Sequence, residues 1–599
     1  MSRIRLGDIR YLALEGGGGK GTCYLGALHL LSDDSLQGNS PPLLPLNAQS
    51  RIRGMSGASA GSIVTYMLAI GMTAKQIEAE MNSKVDYDPT RDDAIRKSGT
   101  TPVFNTFFEK PQPGMYKAVG YKRGRNVSGY AADMLTIRKS KALEGVNSVV
   151  KELFPMMVSE TKSGQFIDSY SAALAAGQRN WIAYSAAYPF LGAALDNISS
   201  VIKSSRLKGL DSDGIEGLAR QKPLWPQLLH CLLFDRGLLS GNAVREYVRY
   251  LTREYLKPSN FTGRALPHTF TDASMQQRNP SELTFRDLYQ ITGSKLVLMG
   301  TNITTKASLP FSVDATPDFP VVDAVCLSMS IPMLFKPTWI AGEVNLSADR
   351  AFNYKYKGFF VDGGMLANIP IHAFDYENDN PHRGVQHPYV FGIGLADGVD
   401  RNENPGFQKD PSYMRFREAK RAKAVQKGTP ADEQQEALKK QRAMDEAINR
   451  YLHRSDTERN GLPNMSATDE RRSFNLDPGG FDYTIRPLRR LLAPFAIFGD
   501  LAGNLMGTLM DFTPEAGQFR TPEERERYVP LDAYDITLTS FTPDPNLATF
   551  VNVRSFNKLF WYFFRHRPPE DKIQQYFPGY EPPPVGLPRY DGPKSPTND

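Results

Sequence analysis

Twice within its first 75 residues the chain runs from a short apolar stretch through a glycine turn into a helical pattern, and this doublet restricts the fold more than any other feature. Tyr11-Leu12-Ala13-Leu14 ends in Glu15-Gly16-Gly17-Gly18-Gly19-Lys20-Gly21, and a helical recurrence follows over residues 23–31. Residues 52–55 then approach Gly57-Ala58-Ser59-Ala60-Gly61, and residues 60–70 read as a second helix closed by Gly71. Short buried strands that alternate with helices imply an α/β fold.

The two glycine segments also carry chemistry. Gly57-x-Ser59-x-Gly61 between a strand and a helix is the pattern of a nucleophile elbow, with glycines where a side chain would strike neighbouring backbone. Such a turn lifts the serine hydroxyl to a helix N-terminus, whose partial positive charge favours a developing anion. The upstream run fits Gly16-x-Gly18-x-x-Gly21, a dinucleotide fingerprint, but that reading needs an acidic residue about 20 positions on. Asp33 and Asp34 come too early, and loop residues follow them. A phosphate-binding loop would need Ser or Thr after Lys20, where Gly21 stands. The alternative, favoured because the elbow lies nearby in sequence, is an oxyanion hole, in which consecutive glycines present backbone N–H groups to a tetrahedral intermediate.

A third segment, Asp362-Gly363-Gly364, follows the apolar run Phe359-Phe360-Val361 and so sits at a strand end. A serine hydroxyl needs an adjacent base, and Asp362 can accept the Ser59 proton directly. The alternative places a histidine between them. His372, His382 and His387 lie downstream, none in a distinctive setting, and His372 is expected on a helix after Pro370.

These residues resemble the patatin-like phospholipases, whose motifs are Asp-Gly-Gly-Gly-x-Arg-Gly, Gly-x-Ser-x-Gly and a later Asp-Gly-Gly or Asp-Gly-Ala. Residues 15–21, 57–61 and 362–364 stand in that order, with Glu15 in place of the leading Asp and Lys20 in place of Arg. The resemblance implies Ser59 as nucleophile, Asp362 as general base, and the N–H groups of Gly16, Gly17 and Gly18 as the oxyanion hole. Lys20, Gly21, Gly57, Gly61, Gly363 and Gly364 support these motifs. It also implies a three-layer α/β/α fold around a mixed, largely parallel sheet, an acyl-lipid substrate such as a phospholipid, and no metal or cofactor. The segment with Ser328 and Ser330, and Asn368-x-Pro370 after the aspartate, fit as well. A transacylase using the same pair, and a silent membrane- or partner-binding protein, are the other two readings.

Around the motifs the expected organisation is a core part at 8–84, a mostly helical insertion and candidate lid at 85–225, and a second core part at 226–400. A polar basic segment, helical or mobile, follows at 401–475, then a part packing on the core at 476–567 and a proline-rich irregular tail at 568–599. Within the insertion, residues 166–202 mix Trp181, tyrosines and aliphatics with few charges and could meet a membrane surface. A late strand is expected within 536–553. The net charge of +6 suits an anionic membrane surface, but no nucleic-acid-binding motif accompanies it. Cys23, Cys231 and Cys326 lack metal-ligand spacing and read as reduced thiols. The start lacks a secretory leader, and 491–510, the nearest candidate span, is broken by Asp500 and Asn504. A cytoplasmic or peripheral membrane protein is therefore expected; whether it needs a protein activator is left open.

Overall fold

A computed structural model describes residues 4–88, 94–107, 117–122, 125–130, 237–340, 355–396, 410–426, 521–536 and 543–582. Its strands are β1 (Tyr11–Leu14), β2 (Gly54–Gly57), β3 (Lys84–Tyr87), β4 (Ile95–Pro102), β5 (Lys117–Lys122), β6 (Arg125–Tyr130) and β7 (Gly237–Leu239). There follow β8 (Lys295–Asn302), β9 (Ala307–Phe311), β10 (Met333–Phe335), β11 (Thr338–Ile340), β12 (Gly358–Asp362), β13 (Val390–Ala396) and β14 (Tyr528–Asp532).

The main sheet runs β14-β13-β1-β2-β8-β12-β11-β5-β6, with β9 paired to β8. From β14 to β8 every neighbour is parallel, and β12 is antiparallel to both β8 and β11. This is the mixed, largely parallel sheet that the resemblance implies. The first two strands occupy the middle of that block, where both faces are covered, so β1 is buried at all four positions.

Alternation along β1 separates two apolar layers. Leu12 and Leu14 join the large core formed with helices α1 (Tyr24–Leu31) and α2 (Ala60–Ala69), whereas Tyr11 and Ala13 join a smaller one. Ile369, Ile371 and Phe374 cover that second face, with the Phe374 ring stacked on Tyr11 at 4.5 Å. The sheet thus lies between a helical layer and, among the described residues, a turn-rich layer.

Three stretches differ from their sequence expectation. Residues 84–87 and 95–102 form the antiparallel pair β3/β4, and β5 and β6 extend the main sheet past β11. So the described residues between 85 and 130 carry strands where a helical insertion is expected; residues 131–236, including the candidate lid at 166–202, lie outside the described residues. The late strand falls at 528–532, and residues 545–553 of the expected stretch belong instead to the helix Pro545–Phe564. Its buried residues fall in two sets, Leu547, Phe550 and Val551, then Phe556, Leu559 and Phe560, each spaced three and four apart, so the two halves of the helix bury different sides. Asp544 caps its start by accepting from the Asn546 N–H, with Pro545 in the first turn.

Finally, the tail begins with a helix, Glu570–Tyr576, held by Lys572 Nζ to Asp33 Oδ2 at 2.7 Å. The helix Pro411–Gln426 packs on the core through Tyr413 and Phe416, which are buried, and the Tyr413 ring meets Phe550 at 5.0 Å. Residues 491–510 lie outside the described residues, among which no helix is long and apolar enough to cross a membrane. Cys23 and Cys326 are buried, and burial pushes the Cys23 thiol up to about 12.

Candidate active site

Between the end of β2 at Gly57 and the start of α2 at Ala60, only Ala58 and Ser59 are left to reverse the chain. Ser59 takes φ 50° and ψ −127°, a conformation that non-glycine residues rarely adopt and that costs on the order of 1–3 kcal/mol. The turn is tight enough to exclude side chains on either side. A β-carbon at Gly57 would lie 2.5 Å from the Gly61 carbonyl oxygen, and one at Gly61 would lie 2.7 Å from that of Glu15. The same two glycines that frame the serine therefore also seat α2 against the end of β1.

β12 brings the aspartate in from the antiparallel side. Its last residue, Asp362, pairs with Gly300 of β8, the strand that flanks β2. Ser59 Oγ donates to Asp362 Oδ2 at 2.6 Å, closing a sequence gap of 303 residues. The other carboxylate oxygen accepts the Gly364 N–H at 2.7 Å. A β-carbon at Gly363 would overlap the Met299 backbone, so this Asp-Gly-Gly turn is pressed onto β8.

The end of the helix Val321–Ser328 holds both partners: Ser328 Oγ accepts the Ser59 N–H at 3.1 Å, and the Ser330 carbonyl accepts that of Asp362 at 2.8 Å. Ser59 and Asp362 are 7% and 5% exposed. Burial pushes the Asp362 carboxyl up to about 7, and the hydrogen bonds from Ser59 and Gly364 pull it only partly back. An aspartate poised near neutrality beside a serine hydroxyl is suited to accept and return a proton.

The glycine run lies directly over this pair. A β-carbon at Gly16 would stand 2.8 Å from that of Ser59, and Gly18 has φ +54°. Of the three glycines expected to donate, Gly16 is already engaged, its N–H donating to the Asn368 carbonyl at 2.9 Å. Gly17 and Gly18 follow it at the head of the 3-10 turn Gly18–Cys23, which contains Lys20 and Gly21. Lys20 is buried, and its charge favours the ionised form of Glu15. Gly21 faces the first turn of α2, its would-be β-carbon 3.5 Å from that of Ala60.

Glu15 is the residue whose importance the motif understates. Asn368 Nδ2 donates to its Oε1 at 2.7 Å, while the Leu395 N–H at 2.9 Å and the Tyr528 hydroxyl at 2.7 Å donate to Oε2. Its backbone carbonyl accepts from the Tyr24 hydroxyl. Burial raises the Glu15 carboxyl, against the pull of these donors and of Lys20. Asn368 carries a sequence signal, its place after the aspartate motif. Tyr528 carries none.

The histidines take other places. His372, in turns rather than a helix, bonds Asp375 through Nδ1 at 3.0 Å. His387 is buried against Asp379 at 3.0 Å, where the Tyr11 hydroxyl and Arg53 also converge. Neither is bonded to Ser59 or Asp362.

Residues 12–375 match the family model described as patatin-like phospholipase. Over 98 residues the chain is 32% identical to the "Probable lipid hydrolase 463L" of Invertebrate iridescent virus 6. That stretch is 16% of this chain and 28% of the viral protein, so the chain spans little more than a quarter of the curated relative it matches. The crystal structure of VipD from Legionella pneumophila overlaps 84% of this chain and 67% of that one, at 16% identity and a TM-score of 0.26.

Proposed function

The chain belongs to the patatin-like phospholipase family, and from that premise we propose that it is a lipid acyl hydrolase working through a Ser59–Asp362 dyad and an acyl-enzyme. The observation that carries this reading is the 2.6 Å hydrogen bond from Ser59 Oγ to Asp362 Oδ2 on a strained strand-to-helix turn. Ser59 Oγ attacks the carbonyl carbon of a fatty-acyl ester while its proton passes to Asp362. The N–H groups of Gly17 and Gly18 receive the oxyanion, with Gly16 fixing the loop through Asn368.

Collapse of the tetrahedral intermediate breaks the ester C–O bond, and Asp362 returns the proton to the departing alcohol. Water then attacks the acyl-serine; Asp362 takes its proton and hands it back to Ser59 as the fatty acid leaves. The substrate class is glycerophospholipid presented at a membrane surface.

Mass spectrometry of products from mixed phospholipid vesicles tests the reaction. Free fatty acid and lysophospholipid in equal amounts are expected. Transfer of the acyl chain to an added lipid alcohol without fatty-acid release would make the protein a transacylase, and no acyl product of either kind would end the enzymatic reading.

The raised carboxyl gives a second expectation. Asp362 must be ionised to accept the Ser59 proton, so kcat/KM should fall as pH drops below about 7. A pH–rate profile flat down to pH 5 would contradict Asp362 as the base.

A further inference from the structure

The family match ends at residue 375, yet the sheet continues with β13 and β14, and a side chain from β14 reaches the glycine loop. We propose that Tyr528 is a positioning residue for the catalytic centre: its hydroxyl holds Glu15, Glu15 holds the Gly16–Gly18 loop, and the C-terminal strand is thereby a working part of the site. The inference rests on the acyl-hydrolase reading and adds to it a component outside the matched region.

Two independent observations carry it. The first is the hydrogen bonding at Glu15. One carboxylate oxygen is held by Asn368, six residues beyond Asp362, and the other by Leu395 of β13 and Tyr528 of β14. Glu15 itself immediately precedes Gly16, whose Cα faces the Ser59 side chain. A shift of the carboxylate therefore moves the loop relative to the nucleophile.

The second is the space made for the tyrosine. β13 has glycine at 392 and 394, and a β-carbon at Gly394 would overlap the Tyr528 hydroxyl while one at Gly392 would touch its ring at 3.3 Å. The ring thus crosses β13 over two positions without side chains to reach β1. At Gly394 the path of the Tyr528 side chain alone requires glycine, whereas at Gly392 Ile369 and Ile371, each at 3.1 Å, press on the same space.

Tyr528→Phe keeps the ring and removes only the donor. With the full chain, the expected result is a 10–100-fold slower reaction of Ser59 with a fluorophosphonate probe, the size of effect that follows from misplacing a reacting group. On phospholipid vesicles kcat should fall with KM unchanged, while the melting temperature stays near that of the wild type.

Gly394→Ala, which retains the hydroxyl but displaces it, should slow labelling in the same way and add nothing to Tyr528→Phe in the double variant. Wild-type labelling rates in Tyr528→Phe would overturn the proposal. So would a loss that tracks the unfolded fraction, or full additivity of the two changes. Should Tyr528→Phe fail to fold, the labelling rate of Gly394→Ala decides alone. If the wild type itself does not label at Ser59, it is the acyl-hydrolase reading that fails instead.

Discussion

Ser59→Ala is expected to remove fatty-acid release and fluorophosphonate labelling together, with kcat lowered by about 10⁴-fold or more, as for serine nucleophiles whose base is left without a partner. The change should leave the fold intact. Alanine fills the space of the serine apart from one oxygen, and what it deletes is the bond to Asp362. It also leaves the left-handed backbone at this position unchanged in kind, since neither residue is glycine. Product mass spectrometry beside a melting curve checks both halves. A folded Ser59→Ala protein that still releases fatty acid at the wild-type rate would falsify the dyad.

Asp362→Asn should cost a comparable factor in kcat while stabilising the protein at neutral and alkaline pH. The folded carboxyl titrates near 7 and an ordinary one near 3.8, because burial disfavours the charge. Between those values the native state holds a proton that the unfolded chain has released. The aspartate's contribution to stability is therefore full below about pH 4 and is lost as the pH rises through about 7. Asparagine cannot ionise, can still accept the Gly364 N–H, and escapes that penalty. The expected gain is on the order of 4 kcal/mol above pH 7, shrinking toward zero near pH 4. Melting temperatures of wild type and variant across pH 4–9 test it; a difference that does not change with pH would remove the buried carboxyl as its cause. Together with the strained turn at Ser59, this places a standing cost of stability at the site.

The parts of this site that are legible in the sequence are those confined to short windows. Strand, turn and helix around Ser59, and the strand ending in Asp362, follow from apolar runs broken by glycine, and the turns leave no room for other residues. The opposite holds for contacts made across long separations. Tyr528 reaches Glu15 across 513 residues and leaves no local pattern, while Asn368, 353 residues away, is legible only through its place after the aspartate motif. Residues 84–130 mislead for a related reason. β5 and β6 join the sheet edge through pairing with β11, a partner more than two hundred residues away in the chain. A late strand is expected within 536–553, but from residue 545 the three-and-four spacing of the buried residues meets packed partners and the helix wins.

The position of β1 has a bearing on how the molecule comes to exist at all. The strand is complete once residue 14 is made, but one of its edges stays bare until β13, about 380 residues later, is available to pair with it. At ordinary rates of synthesis that interval is on the order of tens of seconds. During it the emerging chain offers an apolar strand edge, open to pairing with another nascent copy. Folding that depends on so distant a partner is slow as well. The first strand to be made is among the last to be finished, and the yield of native protein depends on how well that edge is kept from strangers in the meantime.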